Sequence, residues 1–228
     1  LEKLVYVIEA EAARPGADLR AGLVEKAAPA LRAAGAGQIS VNVEDEHVAA
    51  GAAVKIARSD PSLRGLVTFW LESADDRGPC EAALSPHGAG LAGYLVAESR
   101  PMVHQPPLGE RAPGANLVTC INRLPGLSDD EFFDRWNIEH RQVALETQST
   151  TAYVRNAVLR PLTPGAPALD GIVEETFPIE ALSSPHAWYD CDNEEEYKRR
   201  LARMMESVNA FLDLSCLVST PMSEYFLG

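Results

Sequence analysis

The amino-acid sequence predicts an α+β fold made of two similar halves, and three observations lead there. Short runs such as Ile39, Val41 and Val43, set against Gln38, Ser40 and Asn42, have the two-residue period of half-buried strands. Longer runs have the period of amphipathic helices, most clearly Asn193 to Leu214, with Tyr197, Leu201, Met204, Met205, Val208, Phe211 and Leu212 on one stripe. Between the halves, His104 to Ala115 reads HQPPLGERAPGA, whose prolines and glycines cannot continue a helix or a central strand.

That segment, 104–115, is the expected linker between a first half, 1–103, and a second half, 116–228. In the first half, Leu4 to Glu9 reads as a buried strand. Asp18 can cap a helix whose apolar positions are Leu19, Leu23, Val24, Ala27 and Leu31. Pro29 is expected to bend that helix or end it early, and Gly35 and Gly37 close the segment. Strands follow at Gln38 to Val43, Gly65 to Leu71 and Leu91 to Val96, while Glu44 to Ser62 fits irregular chain or a short helix. In the second half, Asn116 to Arg123 is a strand, Pro125-Gly126 a turn, and Ser128 to about Gln148 a helix. Thr150 to Arg160 and Gly171 to Phe177 are strands, Asn193 to Leu214 is the second helix, and Cys216 to Thr220 closes the half. The order β-α-β-β-α-β is the ferredoxin-like motif. Its sheet carries helices on one face only, so two tandem halves can stack their open faces as an intramolecular α+β barrel.

Composition narrows the function classes. The 228 residues include 46% apolar and 23% charged side chains, an ordinary globular balance. Acidic residues outnumber basic ones by 33 to 20, a formal net charge of -13, which opposes binding to nucleic acid or anionic lipid. No apolar run approaches the ~20 residues that span a bilayer. The first segment, Leu1 to Ile8, reads as a strand and not as a signal peptide, and the missing initiator Met implies a trimmed N-terminus. Cys80, Cys120, Cys191 and Cys216 are scattered, so free thiols and a cytoplasmic location are expected. No His/Cys cluster, phosphate-binding loop, dinucleotide glycine motif or Gly-x-Ser-x-Gly elbow is present, and neither a metal nor a cofactor is expected.

The informative segment is Ser128 to His140. Ser128 and Glu131 form a capping box, and the acidic first turn suits the helix dipole. Phe132, Phe133, Trp136, His140, Val143 and Ala144 then share one side at spacings of three, four and seven. These features, with Pro125-Gly126 before them, Tyr153-Val154-Arg155-Asn156 on the next strand and Asp170-Gly171 leading into Glu174-Glu175, resemble the EthD family over Asn116 to Phe177. The first half has no Trp-x-x-x-His helix and reads as a degenerate partner that scaffolds the second. The resemblance implies a dimeric α+β barrel type of fold and a link to oxidoreductase, degradative or polyketide-type chemistry. It is compatible with a homodimer and leaves the substrate open.

A lone histidine on an apolar helix face is more often a core residue than a base, and the resemblance tips His140 toward function. A half-buried imidazole can be tuned to move a proton at a bound molecule. Glu174 and Glu175 are neighbours on a strand, so they point to opposite faces and one must face inward, where a carboxylate needs a partner or a raised pKa. Arg155 is a candidate partner. Trp136 can wall a pocket for a flat ligand, and Tyr153 and Asn156 can position that ligand by hydrogen bonds. The expectation is therefore an enzyme acting on a small apolar or aromatic molecule by cofactor-free acid-base chemistry, of oxidoreductase or lyase type. His140, Glu174 and Glu175 would be the catalytic set, and Trp136, Tyr153, Arg155 and Asn156 the substrate-binding set. Two alternatives stand beside it: a non-catalytic carrier or sensor using the same pocket, and a scaffold with a filled core.

Overall fold

The computed structural model describes residues 1–228. Eight strands form it: β1 (Glu2–Ala10), β2 (Gly37–Val43), β3 (Ser62–Leu71), β4 (Gly90–Met102), β5 (Ala115–Ile121), β6 (Ala152–Pro161), β7 (Gly171–Phe177) and β8 (Val218–Phe226). All pair antiparallel in a closed barrel, ordered β1-β3-β2-β8-β5-β7-β6-β4. Within the first half the order is β4-β1-β3-β2, and within the second it is β8-β5-β7-β6, so both follow one plan. The halves differ from two stacked sheets in one respect. They are hydrogen-bonded edge to edge, through β2 with β8 and β4 with β6, which leaves no open sheet edge.

The alternation of side chains sorts the residues into lumen and outer face. Val5, Tyr94, Val118, Ile172 and Met222 come from strands of both halves and meet in one cluster, as only lumen-facing side chains can. Outside the barrel, helices cover each half. The first-half helix, 16–33, begins at Gly16 with Pro15 at its cap position, and Asp18 lies in the first turn instead of capping it. It neither ends nor breaks at Pro29. A widened, π-type stretch, Ala21–Ala27, immediately precedes the proline and absorbs the lost N–H and the ring, so the helix runs on to Ala33. Gly35, with φ of 91°, then turns the chain out of the helix.

In the second half, the helix 129–147 starts with both hydrogen bonds of the Ser128/Glu131 capping box in place. The last helix, Glu194–Asn209, stops earlier than its apolar stripe, which continues in the turn through Phe211 and Leu212. Segment 44–62 contains a single short helix, Glu46–Ala53. Strand β8 runs on past Pro221 to Phe226. At Pro221 the strand pairs with β5 alone, since β2 joins only from Ser223, so the missing N–H interrupts no second ladder. The stretch between β4 and β5 is tacked to β8 by bridges at Leu108 and Arg111. No helix is long and apolar enough to cross a membrane.

Candidate active site

A cavity of about 830 Å³ lies between the outer face of the second-half strands and the helices 129–147 and Glu194–Asn209, and is lined also by residues of the segments 50–56 and 181–189. Of its 29 lining residues, 21 are apolar, so the few polar groups decide how a ligand would be held. Strand alternation delivers two of them. Tyr153 on β6 and Glu175 on β7 are direct cross-strand partners and both face the cavity. The helix delivers Trp136 and His140, one turn apart.

Trp136 is almost fully buried and its seat depends on Gly171, because a Cβ there would lie 2.4 Å from the indole ring. The neighbouring Asp170 accepts hydrogen bonds from the Arg123 backbone and guanidinium, anchoring the start of β7 beneath the helix. The Asp170-Gly171 pair thus has a packing role and an anchoring role at once.

His140 sits in a second widened stretch, Arg135–His140, half-buried against the Phe211 ring. Its Nδ1 lies 2.9 Å from Ser207 Oγ on the last helix. Burial, reinforced by the positive charge of Arg155, pushes its pKa down to about 4, so the imidazole is neutral at neutral pH. Glu175 moves the opposite way. Burial raises it to about 7, against the Thr150 hydroxyl, which donates to Oε1 at 2.6 Å. Tyr153 is pushed up by burial and by the Glu175 charge, and stays a neutral donor.

The other expected residues lie elsewhere. Glu174 points into the barrel lumen, where its carboxylate accepts from Asn42 and from Asn156 Nδ2, with Lys3 at 3.8 Å. Asn156 is buried in the same lumen cluster. Neither reaches the cavity, because a strand that sends Tyr153 and Glu175 outward must send Asn156 and Glu174 inward. His140 is therefore held by Ser207 and not by either of them. Arg155 does not pair with a glutamate. Its guanidinium donates to Ser99 Oγ and to the Trp136 carbonyl, and lies over the Trp136 and Tyr153 rings at 6.0 and 5.7 Å. Ser207 and Thr150 escaped the sequence reading, since a single hydroxyl on a helix or in a turn carries no pattern. Tyr197, Met204 and Phe211 were visible as an apolar stripe, but not as a cavity wall. No group of three His, Cys, Asp or Glu side chains is placed to hold a metal ion.

No curated protein matches the chain in sequence. Among solved structures, an anthrone oxidase-like protein aligns over 100% of this chain and 93% of its own at 13% identity, with a TM-score of 0.58, a likeness of fold. A variant of chlorite dismutase from Candidatus Nitrospira defluvii aligns over 97% and 90%, at 14% identity and a TM-score of 0.45. The model of the EthD domain matches residues 124–215, which include Trp136, His140, Tyr153, Glu175 and Ser207. The likeness to the EthD domain thus falls within the second half of this chain, over the residues that carry the polar groups of its cavity.

Proposed function

We propose that the protein is an oxidoreductase-type enzyme that takes a small apolar or aromatic molecule into the EthD-domain cavity and begins its reaction by moving a proton. The carrying observation is that Glu175 and Tyr153, from the strands, and His140, from the helix, line one largely apolar cavity. Glu175 is the better proton acceptor, because its pKa of about 7 matches neutral pH, whereas His140 at about 4 is a weak base. His140 then acts as a neutral hydrogen-bonding group, oriented by Ser207, and Tyr153 donates to a ligand oxygen. Removing a proton leaves an electron-rich anion from which dehydration, decarboxylation or, with dioxygen as the electron acceptor, oxidation can follow. The name of the anthrone oxidase-like relative points the same way. Glu174 and Asn156 act in this reading as lumen supports of β7 and β6, and the two halves as tandem ferredoxin-like units.

The test is native mass spectrometry of protein purified from cells, to identify a co-purified molecule, followed by turnover assays on it. His140→Asn and Glu175→Gln should each lower turnover by about 100-fold or more. Unchanged turnover in both variants ends the catalytic assignment. The large apolar share of the lining also supports a second reading, a carrier for the same ligand class. Binding without turnover by the unaltered protein would select it.

A further inference from the structure

Arg155 stands apart from the other buried charges of the chain. Only 7% of it is exposed, yet no carboxylate pairs with it, and none is among the groups that shift its pKa. Its hydrogen bonds go to a serine hydroxyl and a backbone carbonyl, both neutral. Lys3, also buried, has Glu98 and Glu174, and Arg64 has Glu44. A buried cation without a counter-charge is costly, and that cost is offset when an anion forms nearby. The guanidinium lies behind Trp136 and Tyr153, the two rings that wall the cavity on that side. Arg141 adds a second positive charge near Tyr153 and Arg155. No Lys or Arg lines the cavity itself, so the positive charge nearest to a ligand stands behind one wall while Glu175 is the acidic group inside.

We propose that Arg155 is a positioning charge for the cavity, stabilising through the Trp136–Tyr153 wall the conjugate base of a weakly acidic ring hydroxyl, so that the ligand class is a phenol or the enol of an aromatic ketone. This rests on the reading of the cavity as a site of proton transfer. The ligand arrives neutral, its O–H bond breaks, the proton passes to the Glu175 carboxylate, and the electron pair remains on the ligand oxygen. No other co-reactant is needed for this step. The titratable groups that face the ligand from the packed elements are Glu175 on β7, Tyr153 on β6, His140 on the helix 129–147, and Tyr189 and Tyr197 across the cavity, while Arg155 and Arg141 stand behind the lining. A point charge at that range, in a partly screened interior, displaces a proton equilibrium by about one pKa unit.

The experiment uses the full chain with 2-naphthol, whose neutral and anionic forms absorb differently, and 2-methoxynaphthalene, which has no acidic proton. The bound naphthol should titrate about one unit or more below its value in water. Arg155→Gln should remove most of that shift and Arg155→Lys should keep most of it, while both bind 2-methoxynaphthalene as the unaltered protein does. A bound pKa equal to or above that of free naphthol in the unaltered protein overturns the proposal, whether or not the glutamine variant folds. A parallel loss of methoxynaphthalene affinity in Arg155→Gln reduces Arg155 to a packing residue, and failure of both probes to bind removes the ligand class. None of these results bears on turnover of a co-purified molecule, so the enzyme reading stands or falls separately.

Discussion

The two halves follow one strand order and each carries a π-type widening inside its first helix, yet they use the space outside the sheet differently. In the first half, Leu19, Leu23 and Leu31 of the helix 16–33 press onto Tyr6 and Phe69, whose rings stack 5.5 Å apart, and a continuous cluster of 21 buried residues fills the layer. Its second helix is short, Gly78–Leu84, and buries Cys80 and Leu84 in the same cluster. In the second half, the apolar residues are split into clusters of five and three, with the cavity between them. The larger of these is built around Phe132, Trp136 and Phe211, rigid rings that cannot flow into a gap as leucines would. Filling the layer stabilises the fold. Leaving it open, with aromatic walls, makes room for a ligand.

Substitutions can break this comparison. The largest expected effect is in the filled half: Phe69→Ala should cost about 3–5 kcal/mol in chemical denaturation, whereas Met205→Ala, at the half-open cavity rim, should cost less than about 1 kcal/mol. Equal losses would mean that the cavity wall is packed as tightly as the first-half core. Next comes His140→Asn, expected to remove about 100-fold of turnover while the melting temperature moves by no more than a few degrees. If the histidine is a packing residue, stability will fall and ligand binding will stay.

A smaller effect is a change in pH dependence. Glu175 has a folded-state pKa of about 7, above its ordinary 4.5, so the folded state holds this proton more tightly. Its contribution to stability is fully present below pH 4.5 and is lost as the pH rises to 7. His140 works in the other direction: with a folded value of about 4, its contribution is present above pH 6.5 and lost as the pH falls toward 4. Glu175→Gln should therefore raise the melting temperature at pH 8 relative to the unaltered protein and leave it nearly unchanged at pH 4. The same gain at both pH values would show that the carboxyl is not perturbed by burial. The smallest effect is expected from Ser207→Ala, which removes one hydrogen bond to a neutral imidazole and should cost about 0.5–1.5 kcal/mol. Its sharper readout is the nitrogen NMR spectrum of His140, whose tautomer balance should change.

Features written in adjacent residues were legible. The capping box at Ser128, the strand Gly171–Phe177 and the shared face of Trp136 and His140 follow from short-range spacing, because helix and strand periods repeat within a few residues. So does the opposite pointing of Glu174 and Glu175. Which of the two would share a cavity with His140 was not legible, since both faces of this barrel are buried and only the closed sheet says which is lumen. Pro29 misled for a related reason, and Pro221, inside β8, shows the same dependence. A proline forbids one hydrogen bond, and whether that bond was needed depends on a neighbouring π-type turn or on a strand arriving from elsewhere.

The sequence by itself determined the α+β class, the helix that carries His140 and the resemblance to EthD, all properties of local period and motif order. The tertiary structure decided the closed barrel, the cavity and its polar partners. His140 meets Ser207 across 67 residues, and Glu175 meets Thr150 across 25. Contacts at such separations arise when the helices and the sheet pack, and no period in the chain foretells them, because each rests on a single side chain delivered by a different element.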